Sequence, residues 1–145
     1  MNRENLKLSK RHDWESFITP DYVVTKQGES FDMVLTRYIV EMQFIHKIKQ
    51  KEIADESGIE SSMITKYKKG TRKPTLNAVI LLCLAMRLAP ERSCYLFYCA
   101  GFQLNDSVEH RIYKLFLQGC AFSDDYSIKN CNVMLREHGF TQLST

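Results

Sequence analysis

The chain has 145 residues, 44% of them hydrophobic, and a formal net charge of +3. These values exclude a wholly disordered chain and a polycation, and they fit one domain, or one small domain with additions. The charge is uneven, however: Lys66 to Lys73 carries five bases and no acid, which leaves −2 on the other 137 residues. Taken alone, such an octet reads as a solvated loop. Lying directly behind a pair of short helices, it reads instead as a phosphate-attracting patch.

Residues 1–29 are expected to form an N-terminal arm or a short helix. The stretch is neutral, with five bases and five acids. Trp14, Phe17 and Ile18 share helical spacing, Ser9 or Asp13 supplies a cap, and Thr19-Pro20 ends the turn. No secretory signal is expected, because Met1 to Lys10 is polar and no apolar run follows. Ser30 then caps a helix to about His46. Its core stripe is Phe31, Val34, Leu35, Tyr38, Ile39, Met42 and Ile45. His46 to Lys49 is a basic connector, with Ile48 plugging into the core.

Gln50 to Pro74 organises the rest. The pattern predicts a helix, a tight turn at Gly58, a second helix and a basic exit loop. Glycine reaches the positive φ of such a turn without steric penalty. Ala54 provides the small contact that two steeply crossing helices need. Ile59, Ile64 and Tyr67 form the inward stripe of the second helix. Ser61, Ser62, Thr65 and Lys66 face outward, a set of hydroxyls and one long cation suited to a major-groove edge.

This stretch resembles the lambda-repressor-like helix-turn-helix family, the phage repressor and Cro type. The resemblance rests on Gln50, Glu52-Ile53-Ala54, Ser57-Gly58-Ile59, Ile64, Gly70-Thr71-Arg72-Lys73-Pro74 and Leu76, and spans about residues 31–88. It implies an all-α fold, a five-helix DNA-binding domain at 30–102. It also implies roles. Ser61, Ser62, Thr65 and Lys66 fall on base-reading positions. Lys49, Gln50, Lys68, Lys69, Gly70, Thr71, Arg72 and Lys73 fall where phosphate is held, Gly70 through its backbone N–H. The sequence departs from the family at two helix starts. Lys49 stands where Ser or Thr usually caps, so the cap and its reciprocal box with Glu52 are expected to be lost. Glu60 stands at the start of the second helix, with Ser61 as a substitute cap.

Thr75 caps a fourth helix, Leu76 to Leu88, apolar nearly all round and too short to span a bilayer. Pro90 opens a fifth helix that Gly101 stops after Ala100. Residues 103–145 are expected to form a two-helix C-terminal extension. Ser107 or Asp106 starts one helix, with Val108, Ile112, Leu115 and Phe116 on one face and Gly119 ending it. Asp125 or Ser127 starts the other, with Ile128, Cys131 and Leu135 on one face and Gly139 ending it. With five acids and four bases the pair is a poor DNA binder. It either folds back on the fifth helix or pairs with a second subunit.

The five cysteines, Cys83, Cys94, Cys99, Cys120 and Cys131, form no CxxC pair, and His12, His46, His110 and His138 are scattered. Buried reduced thiols are expected, with no metal and no cofactor. No nucleophile motif, phosphate-cradling loop or framed carboxylate pair appears, so no enzyme is expected. The functional expectation is a cytoplasmic, bacterial or phage transcriptional regulator, repressor-like, without membrane association. It would bind double-stranded DNA in a sequence-specific way as a homodimer, with helix 61–68 in the major groove. The alternative is a protein-binding module on the same fold: an antitoxin, an anti-defence protein or an assembly partner. The C-terminal helices are a candidate contact for such a protein.

Overall fold

Leu76 to Ala85 offers no polar side to water, and the fold is arranged to cover it. The computed structural model describes Trp14 and residues 28–145. Among these, seven α-helices and one 3-10 turn form and no strand does. The helices are α1 (Phe31–His46), α2 (Gln50–Ser57), α3 (Ser61–Lys69), α4 (Leu76–Ala85), α5 (Pro90–Ala100), α6 (Val108–Gly119) and α7 (Ile128–Glu137), with the 3-10 turn at Asp124–Tyr126. The N-terminal arm or short helix lies outside the described residues, apart from Trp14. That ring is buried edge-on against Phe97 at 5.5 Å, and its carbonyl accepts from the Cys94 thiol.

Every residue from Ala78 to Leu84 in α4 is buried, as expected of a helix apolar on all sides. α2 and α5 pack against it, and α6 and α7 fold back over it. The C-terminal pair therefore covers α4 as well as α5, and one apolar cluster runs from Phe31 to Leu143. α1 packs across α3 and α5. After α7 the chain returns over the start of α4. Leu143 is buried there, its N–H donates to Asn132 Oδ1 at 2.8 Å, and the Asn77 amide donates to the Ser144 carbonyl at 3.2 Å.

The helix starts follow side-chain chemistry. Thr75, Ser107 and Ser127 each accept from the backbone N–H three residues on, at 3.1, 3.2 and 3.2 Å. Ser30 precedes α1 without a side-chain capping bond.

Three expectations are corrected. Ile45 is 67% exposed rather than core, because the last turn of α1 runs past the body of the fold before Lys47 reverses the chain at φ 60°. α4 stops at Ala85 rather than Leu88, because Arg87 adopts φ 51°, which lets both Met86 and Leu88 turn inward. Gly119 has an ordinary φ; it is small because a Cβ there would lie 2.5 Å from the Tyr126 ring. The 3-10 turn carrying Tyr126, held by Ser123 Oγ accepting from the Asp125 N–H, was not legible beforehand.

Cys83, Cys94, Cys120 and Cys131 are buried, Cys99 is half-buried, and all five are free thiols. Burial pushes the Cys120 thiol up to about 11 and raises Cys83 and Cys131 as well. Among the described residues, no helix is long and apolar enough to cross a membrane, and no group of three or more His, Cys, Asp or Glu is placed to hold a metal.

Candidate nucleic-acid interface

The interface is built on α3, which buries only Ile64 and Tyr67. Tyr67 meets Phe31 of α1 edge-on at 6.4 Å, and Thr36 of α1 donates to the Lys68 carbonyl at 3.3 Å. These contacts fix the rotation of α3 about its axis. Ser61, Ser62 and Lys66 are exposed on the other side, and Thr65 is half-buried beside them. The four residues expected to read bases thus share one outward face.

Gln50 couples the starts of α2 and α3. Its Nε2 lies 3.0 Å from each of three oxygens: the Ser61 carbonyl, Ser61 Oγ and Thr65 Oγ1. The residue expected to bond phosphate is therefore already engaged inside the protein. Its partners are two of the expected base readers.

At the start of α2 the expectation that the reciprocal box is lost holds for one half only. The Glu52 carboxylate accepts from the Lys49 backbone N–H at 3.3 Å. The Lys49 ammonium has no lone pair with which to return the bond, so that half is absent. Glu60, not Ser61, occupies the capping position of α3, without a side-chain capping bond. The turn between the helices is held by Gly58 at φ 76° and by the buried Ser57 hydroxyl, which donates to the Ala54 carbonyl and accepts from the Ile59 N–H.

Behind α3, Lys69, Gly70, Thr71, Arg72 and Lys73 are exposed and Lys68 is half-buried. Gly70 takes φ 74°, and its N–H donates to the Tyr67 carbonyl at 3.2 Å. That N–H, expected to approach a phosphate, closes the helix instead. The Thr71 N–H and hydroxyl both turn to the Lys66 carbonyl, at 3.1 and 3.3 Å. The long cations Lys69, Arg72 and Lys73 remain at the surface. Arg72 sits near the Tyr67 phenol: burial raises that group above its ordinary value and the Arg72 charge opposes the rise. One neighbour was missed from sequence. Asp32 of α1 lies so close to the loop that a Cβ on Gly70 would stand 3.2 Å from its carboxylate. Nothing in the chain order pairs residues 32 and 70.

The arrangement is a bihelical unit, held by α1 and α4, that displays one polar helix face flanked by an exposed cationic loop. Residues 46–92 match the family model described as Helix-turn-helix, and this segment belongs to the lambda-repressor-like helix-turn-helix family. The match covers about a third of the chain, beginning at the end of α1 and reaching into α5. No curated protein and no solved structure matches the chain. The protein is thus an all-helical, DNA-binding helix-turn-helix protein of the regulator class, with further helices packed on the shared core.

Proposed function

We propose that the protein is a sequence-specific double-stranded DNA-binding transcriptional regulator that acts by occlusion, as a repressor does, and is not an enzyme. The observation that supports this reading is the shared outward face of Ser61, Ser62, Thr65 and Lys66 beside exposed Lys69, Arg72 and Lys73. In this reading residues 61–68 enter the major groove. Ser61, Ser62, Thr65 and Lys66 meet base edges, while Lys49, Gln50 and residues 68–73 hold phosphates and set register. Residues 30–102 form the DNA-binding domain and 103–145 its cover. A lone helix reads few base pairs, so a two-fold homodimer is the working unit, with half-sites about 34–36 Å apart. The protein works in the cytoplasm of a bacterium or in a phage-infected cell, without a cofactor.

A second reading, a protein-binding module, is favoured by exposed Val40, Phe44 and Ile45 on α1 and by Glu60 at the start of the display helix. Titration of random duplex DNA at low and moderate salt separates the two. A steep fall of log affinity with log salt supports the regulator; absence of binding at low salt overturns it.

A further inference from the structure

We infer that Gln50 fixes the hydrogen-bond polarity of the reading face, making Ser61 and Thr65 donors toward DNA and so setting which base edges they accept. The inference rests on the DNA reading proposed above and adds a specificity-determining residue outside α3.

The argument begins with the Ser61 carbonyl. It has no hydrogen, and it lies 3.0 Å from one end of the Gln50 amide. An amide oxygen at that distance would face another oxygen with nothing between them, so the end that points there is the NH2 group. The same nitrogen is 3.0 Å from Ser61 Oγ and 3.0 Å from Thr65 Oγ1. An amide nitrogen offers hydrogens and accepts none. Both hydroxyl oxygens therefore turn lone pairs toward Gln50, and neither can give it a proton. Their own hydrogens point elsewhere, and no bond inside the protein takes either of them.

A face of hydroxyl hydrogens is selective. In the major groove guanine offers N7 and O6, thymine offers O4, and adenine offers N7 beside a donor. Cytosine offers only the N4 donor, which a donating hydroxyl cannot meet. Serine and threonine normally bond either kind of edge, because the hydroxyl can turn. Here Gln50 removes that freedom, and two weakly discriminating residues become readers of acceptors.

A carboxylate in place of the amide reverses the sign. Glutamate at 50 has no hydrogen to give, so both hydroxyls donate inward and turn lone pairs toward the groove. The experiment selects bound fragments from a random duplex pool with full-length wild-type protein, Gln50→Glu and Thr65→Val, with melting curves confirming that each is folded. Wild type is expected to enrich guanine or thymine and exclude cytosine at the bases facing Ser61 and Thr65. Gln50→Glu is expected to lower affinity on all sequences through its charge. It is also expected to shift those positions toward cytosine or adenine by about threefold to tenfold, the worth of one neutral hydrogen bond. Thr65→Val should lose preference at one position only. Unchanged relative base preferences in Gln50→Glu, with uniformly weaker binding, overturn the proposal and leave the DNA reading standing. Failure of wild type to bind any duplex at low salt overturns both.

Discussion

Helices α3 and α4 are nearly equal in length, nine and ten residues, and lie six residues apart in the chain. α3 sends two side chains inward and keeps the rest at or near water. α4 buries seven in succession and is wrapped on all sides. The contrast separates two kinds of work. A helix that needs neighbours all round is scaffold, and its sequence answers to packing. A helix held by two side chains is a display, and most of its sequence answers to whatever meets it from outside.

Substitutions should separate the two helices. Leu82→Ala removes a fully buried side chain from α4 and should destabilise the protein by about 2–5 kcal/mol in denaturant unfolding. A cost below that range would mean that α4 is not the centre of the core. Gly119→Ala attacks the same core from its cover, since the new methyl meets the Tyr126 ring. A loss of about 1–3 kcal/mol is expected, read as a lower melting temperature. On the display side, stability should hardly move. Lys66→Ala should weaken binding by about 1–3 kcal/mol at one base position only. Equal loss on every site variant would remove Lys66 from the readers. Arg72→Ala should instead weaken binding on all sequences and lower the salt slope by about one unit.

The smallest effect concerns pH. Burial lowers the His110 pKa below its ordinary 6.5 in the folded protein. The unfolded chain therefore binds this proton more readily, so stability should fall as pH drops from about 6.5 through the folded value and level off below it. His110→Gln should flatten that slope in unfolding curves taken across this range.

Much of the display was legible in the chain because its constraints are local. Gly58 and Gly70 mark the two left-handed turns, Ile64 and Tyr67 mark the inward side, and the outward residues follow by subtraction. What was hidden depended on contacts across the fold. Helical periodicity alone carried Ile45 into the core, because a period does not record where the neighbouring helix ends. Gly119 read as a stop signal, although its reason is a ring sixty-odd atoms away along the backbone in Tyr126's own turn. The resemblance supplied a partner for Gln50 but not the direction in which its amide points. That direction is set by the carbonyl of Ser61, eleven residues on.

The wrapping of α4 also bears on how the protein comes into being. During synthesis the helix-turn-helix leaves the ribosome before α6 and α7, which cover the far flank of α4. Until residues 108–143 follow, a nascent chain carries its display helix on a body with one greasy side still wet, the condition in which unfinished chains associate wrongly or recruit chaperones. Order of manufacture and order of use thus run opposite ways: the part that meets DNA is made early, and its footing is finished late.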